Sequence, residues 1–310
     1  MTLRTTLLAT ALAALSTSAF AAGCDKVVFS DVGWTDITAT TAATSLVLEA
    51  LGYETETKVL GVPVTYEGLA SGDVDVFLGN WMPTMESNIA PYVEAKTVES
   101  VRANLEGAKY TLATNAKGAE LGIKDFADIA AHAADLDGKI YGIEAGNDGN
   151  KLILDMIDKD AFGLKDAGVD LVERSEQGML AQVSRADNEG KAIVFLGWEP
   201  HPMNANFKMS YLTGGDDYFG PNLGGATVYT NTRAGYVTEC PNVGKLLTNL
   251  TFTLPMENEI MGAILNDGTE PRDAAKAWLS AHPDVVVPWL DGVTTKDGGD
   301  AMAAVTAALK

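Results

Sequence analysis

The sequence predicts an α/β protein of two lobes, each a largely parallel sheet flanked by helices, the lobes joined by two crossover segments. Three observations carry that expectation. Short apolar strands alternate with one-sidedly apolar helices from Lys26 onward. The stretch Val76-Phe77-Leu78-Gly79-Asn80-Trp81-Met82-Pro83 is echoed by Val194-Phe195-Leu196-Gly197-Trp198-Glu199-Pro200, each running an apolar strand into Gly, Trp and Pro. Finally, the extended segments 110–114 and 226–231 fall where a chain would pass between lobes. They divide it into a discontinuous first lobe, 22–112 plus 228–310, and a second lobe, 113–227.

The elements follow in order. Residues 26–30 read as a strand and 37–51 as a helix, because Ala39, Ala42, Ala43, Leu46, Val47, Ala50 and Leu51 recur at three- and four-residue spacing. Gly52 stands where a helix C-terminal cap is expected. A strand over 54–60, a helix over 64–70 and a strand over 74–78 come next, the last entering a loop at Gly79-Asn80-Trp81. Farther on, 139–143 is a strand, 144–150 a Gly/Asn loop and 151–159 a helix, with strands again at 171–173 and 192–196. Strands alternating with helices imply parallel sheets covered on both faces. Ligands of such sheets bind beyond the carboxyl ends of the strands.

Composition narrows the function classes. The 310 residues carry 42 acids against 22 Lys and Arg, a formal charge of −20, which opposes binding to nucleic acid. Residues 1–21 lack acids, hold Arg4 and an apolar stretch over 7–15, and end in Ala19-Phe20-Ala21. That pattern is a secretory signal peptide cleaved near Ala21. Cys24 and Cys240 then meet an oxidising compartment, where a disulfide is the simplest reading. A lipid anchor on Cys24 competes with it, although Leu is missing three residues before the cysteine.

Catalytic signatures are absent: the chain has no Gly-x-Ser-x-Gly, His-Glu-x-x-His or Gly-x4-Gly-Lys-Ser/Thr. His132, His201 and His282 read as structural or surface residues, and neither a metal site nor a cofactor is expected. The tryptophans are more informative. Trp34, Trp81 and Trp198 each follow a strand at the ligand-binding edge, and Tyr110 sits at a presumed crossover. Trp278, at helical spacing with Ala274, Ala275 and Leu279, reads as packing, as does Trp289. Aromatic faces around a cleft suit a cation that donates no strong hydrogen bonds, a quaternary ammonium above all. Asp36 would attract that cation and accept from a ligand hydroxyl, and Asn147 would meet the same oxygen.

These motifs resemble those of the periplasmic choline-binding proteins of ABC importers, within the wider group that binds glycine betaine and related amines. The carrying residues are Gly33-Trp34-Thr35-Asp36, Gly79-Asn80-Trp81-Met82-Pro83, Lys109-Tyr110, Gly142-Ile143-Glu144-Ala145-Gly146-Asn147 and Gly197-Trp198-Glu199-Pro200-His201. The resemblance implies a two-lobed, type II-like binding-protein fold that closes by a hinge and is not an enzyme. It further implies an aromatic cage of Trp34, Trp81, Tyr110 and Trp198 around a trimethylammonium group, with Asp36 and Asn147 holding a hydroxyl. It also implies a Cys24–Cys240 disulfide, a membrane permease as partner and a monomer in the periplasm. An acid at position 36 would repel a betaine carboxylate, which favours choline. Three rivals stand beside this reading: a receptor for glycine betaine or another methylated amine, an exported hydrolase using Asp36 and Glu199 as paired carboxylates, and a ligand-sensing partner of a membrane receptor.

Overall fold

A computed structural model describes residues 23–310; the expected signal peptide lies outside them. Nine strands form one sheet among the described residues: β1 (Lys26–Asp31), β2 (Glu54–Val59), β3 (Val76–Met82), β4 (Val98–Asn115), β5 (Lys139–Tyr141), β6 (Asp170–Val172), β7 (Val194–Glu199), β8 (Met209–Tyr211) and β9 (Gly225–Arg233). Their order is β2-β1-β3-β9-β4-β7-β5-β6, with β8 beside β4. The two ends are parallel, β2-β1-β3 and β7-β5-β6, as the alternating pattern implies. The middle is antiparallel, because the expected crossover segments are the long strands β4 and β9, paired side by side.

Burial explains the composition of each strand. Val27, Phe29, Val76 and Phe77 at one end and Ile140, Val194, Phe195 and Leu196 at the other have no exposed surface. Parallel strands covered on both faces read as such unbroken apolar runs. Edge strand β2, Glu54–Val59, instead places Glu56 against Lys26 across the strand pair.

Two strands run farther than their sequences suggest. β3 continues through Gly79-Asn80 to Trp81 because Asn80 and Trp81 pair with Tyr229 and Val228 of β9, after a register shift beyond Phe77. β7 likewise extends to Glu199, and Trp198 pairs with Tyr110 of β4. Trp81 and Trp198 therefore sit on strand ends and not in loops. Gly79 is required where β3 meets the first helix, since a Cβ there would stand 2.7 Å from the Ile37 side chain. That helix, Thr35–Ala50, starts before its expected first residue and also packs on the helices Leu254–Leu265 and Pro271–Ala281.

Cys24 and Cys240 form a disulfide across 216 positions, with Cα atoms 5.5 Å apart. The bond fixes the chain before β1 to the start of the helix Pro241–Asn249. Cys24 is thus committed to a disulfide, which removes the lipid-anchor alternative.

Candidate functional site

Four strand ends and two helix starts converge on one small cavity of about 20 Å³, lined by Trp34, Asp36, Trp81, Tyr110, Ile143, Asn147, Asp148 and Trp198. All six residues expected from the sequence are there. Trp34 follows β1 and is the N-cap of Thr35–Ala50, and Asp36 lies in that helix's first turn. Asn147 caps the helix Asp148–Asp158, which begins three residues before its expected start. The six are at most 6 % exposed.

Three of the four aromatic side chains are held by bonds that spend their polar edges on the protein. Trp34 Nε1 donates to Glu144 Oε1 at 2.9 Å, and Trp81 Nε1 to Asp36 Oδ2 at 3.1 Å. Tyr110 OH donates to Asn147 Oδ1 at 2.9 Å, an oxygen that also accepts from the Asn150 N–H. Gly149 makes room for that hydroxyl, since a Cβ there would lie 2.1 Å from it. The Tyr110 ring meets Trp81 and Trp198 edge-on, at 6.1 and 6.2 Å between centroids. With the polar groups of Trp34, Trp81 and Tyr110 satisfied elsewhere, the rings offer their π systems. These attract a cation electrostatically and demand no hydrogen bond from it.

Two buried carboxylate oxygens in this wall have no hydrogen-bond partner among the described residues: Asp36 Oδ1 and Asp148 Oδ2. Burial, reinforced by Glu176, pushes the Asp36 carboxyl up to about 8. Burial likewise raises Glu144 to about 7 and Asp148 to about 6. In each case the folded chain holds its proton to higher pH than the unfolded chain does. The folded state therefore binds more protons above the unfolded carboxylate range, and stability falls as pH rises through 6 to 8. The melting temperature of the ligand-free protein should accordingly drop steadily between pH 5 and 8.5, and differential scanning calorimetry would measure it. A flat profile would show that these carboxyls do not titrate as buried groups.

Behind the cavity lies a contact absent from the sequence expectations. Glu176 is fully buried at the start of the helix Glu176–Glu189. It accepts from the Thr35 N–H at 2.9 Å, from Thr35 Oγ1 at 2.5 Å and from His201 Nε2 at 3.3 Å. His201 Nδ1 accepts the Met203 N–H at 2.9 Å, so the ring proton sits on Nε2 and points at Glu176. One carboxylate thereby ties the residue after Trp34 to the loop after Trp198, whose ring stands 4.9 Å from His201. His201 is a working structural residue. Glu176, Glu144 and Asp148 look in sequence like ordinary acids near helix starts, and no local signal separates them.

The remaining candidates lie elsewhere. Glu199 accepts from Lys109 Nζ at 3.0 Å and does not line the cavity, so the structure does not bring Asp36 and Glu199 together as a catalytic pair. Trp289 is buried against Phe252, and Trp278 stacks on His282 at 4.2 Å. Both are packing residues, as the helical spacing of Trp278 and the apolar run before Trp289 predict. Among the described residues no helix is long and apolar enough to cross a membrane, and no cluster of His, Cys, Asp and Glu could hold a metal ion.

Known proteins with this architecture fit the geometry. A solved ABC-transporter choline-binding protein in complex with choline is 72 % identical, covering 93 % of this chain and 99 % of its own, with a TM-score of 0.91. The same identity relates the chain to a choline-binding protein in an unliganded semi-closed conformation, with 92 % and 99 % coverage and a TM-score of 0.85. The glycine betaine/carnitine transport binding protein GbuC of Listeria monocytogenes is 32 % identical over 161 residues, 52 % of each chain. The fold is that of the two-lobed periplasmic substrate-binding proteins. The model of the OpuAC family matches residues 25–281, and the chain belongs to that family, the substrate-binding domains of ABC-type glycine betaine transport systems.

Proposed function

We propose that this protein captures choline between its two lobes and delivers it to the membrane permease of an ABC importer. One observation carries the proposal: four aromatic side chains, three of them with their polar edges bonded to the protein, share a buried cavity with the unpartnered oxygen of Asp36. Trp34, Trp81, Tyr110 and Trp198 would surround the trimethylammonium group. Asp36 and Asn147 would hold the hydroxyl. Each desolvated cation–π contact contributes about 2 kcal/mol. Four approach the roughly 8 kcal/mol of a micromolar complex, before the costs of closure.

The proposed lobes are 22–112 plus 228–310 and 113–227, with β4 and β9 as the hinge strands. Closure by a hinge would bring ligand contacts from both lobes together, and those contacts would stabilise the closed form. The protein would act as a monomer in the periplasm after its leader is removed near Ala21, and it would not be an enzyme. Glycine betaine, the ligand group of the family, fits less well. Its carboxylate would meet buried acids, and the cavity wall offers it no Arg or Lys.

Comparing choline with tetramethylammonium, which lacks the hydroxyl, isolates the part given to Asp36. Asp36→Ala should weaken choline by about tenfold or more, the value of a buried hydrogen bond, and tetramethylammonium by less than about threefold. Equal losses for both ligands in calorimetric titrations would remove Asp36 from the hydroxyl.

A further inference from the structure

The cavity holds two carboxyl groups, and a monovalent cation neutralises one. Asp148 is 1 % exposed; its Oδ1 accepts from Asn147 Nδ2 at 3.1 Å, the Thr84 hydroxyl and the Gly149 N–H favour its charged form, and its buried Oδ2 makes no hydrogen bond of good geometry. Asp36 has the same division, with Oδ2 taken by Trp81 Nε1 and Oδ1 unpartnered. Their surroundings differ. Asp36 feels the buried carboxyl groups of Glu176 and of Glu257, which projects from the helix Leu254–Leu265. Asp148 opens the helix Asp148–Asp158, whose N-terminal dipole favours an anion, and feels the positive charge of Lys151 three residues on. The other titratable groups coupled to it are Tyr66, Tyr110 and Glu144. Burial keeps both tyrosines protonated, and Glu144 is engaged by Trp34.

We propose that Asp148 is the counter-anion of the cavity: its unpartnered oxygen balances the ammonium charge, while Asp36, set among other carboxyls, serves the ligand hydroxyl as an uncharged group. The inference rests on the quaternary-ammonium reading and divides the electrostatic work within it. The titration order agrees. With Asp148 at about 6 and Asp36 at about 8, the empty cavity at pH 7 carries its charge on Asp148 and a proton on Asp36. Asp148 thereby becomes a specificity residue, since it faces any second anionic group on a ligand with a fixed negative charge.

The test uses tetramethylammonium, a cation with no hydroxyl, in calorimetric titrations of the folded, ligand-free full chain. Asp148→Asn should weaken it by about tenfold or more, whereas Asp36→Asn should change it by less than about threefold. In wild-type protein its affinity should fall by roughly tenfold per pH unit below pH 6, and Asp148→Asn should flatten that fall. A purely structural role for Asp148 would leave the slope of the pH profile unchanged. The reverse ranking of the two variants, or a wild-type midpoint near pH 8, would make Asp36 the counter-anion and overturn the assignment. The wild-type profile decides the matter even where Asp148→Asn does not fold. Wild-type protein that binds neither choline nor tetramethylammonium would overturn the quaternary-ammonium reading itself, a failure distinct from a reversed ranking.

Discussion

Truncating Glu176 to alanine should lower choline affinity by two to three orders of magnitude. The carboxylate is fully buried and accepts three bonds, two from Thr35 and one from His201. Its removal strands a buried N–H, a hydroxyl and an imidazole N–H. Breaking a buried hydrogen-bonded charge contact of this kind costs roughly 3–5 kcal/mol, and each 1.4 kcal/mol is a tenfold change. Under the proposed lobe boundaries, Thr35 belongs to the first lobe while Glu176 and His201 belong to the second. The bonds would then form as the lobes close, and the loss would fall on ligand affinity. The ligand-free melting temperature should move by only a few degrees. Glu176→Gln, which keeps the acceptor oxygen, should recover part of the affinity. An unchanged choline affinity with a steep loss of thermal stability would instead mark Glu176 as a fixed part of the fold, with no role in closure.

Trp198→Leu should weaken choline by about 30-fold, the value of one desolvated cation–π contact of about 2 kcal/mol. Leucine keeps much of the buried volume and loses the ring quadrupole, which separates the cation contact from simple cavity formation. Trp198 is a sound choice because its register partner is Tyr110 and its ring edge touches that of Tyr110. Trp198→Phe should retain most of the affinity. Trp278→Leu, outside the cavity, should leave it unaltered. Choline affinity within about threefold of wild type in a folded Trp198→Leu protein would show that this ring does not carry the cation.

The aromatic lining of the cavity was legible in the sequence because its residues share a local signature. Each of Trp81 and Trp198 follows an apolar strand and a glycine, and Trp34 follows the first strand, so all three point to the ligand edge of an α/β sheet. Asp36 and Asn147 entered by their places, two residues after Trp34 and in the loop after the strand over 139–143, and the resemblance of their motifs implied the same roles. The acids behind the cage were not legible, for a physical reason. Glu176, Asp148 and Glu144 occupy helix starts or the loops before them, where an acid ordinarily meets the helix dipole, and only the fold reveals that these are buried and aimed inward. The sheet divides in the same way. Its parallel ends follow from alternating strands and helices, whereas the antiparallel centre depends on β9 meeting β3 and β4 far away in the chain. Gly79-Asn80 and Gly197 have turn-forming character locally, and only that long-range pairing carries β3 and β7 past them.

The central claim is that the aromatic cavity selects choline. Calorimetric titration of the full protein, unfolded and refolded beforehand to remove any carried ligand, should be run against choline, glycine betaine and a neutral sugar. The account predicts choline binding at one site with an affinity well above that of betaine, and no heat from the sugar. Betaine binding more tightly than choline, or folded protein that takes up neither amine, would contradict it.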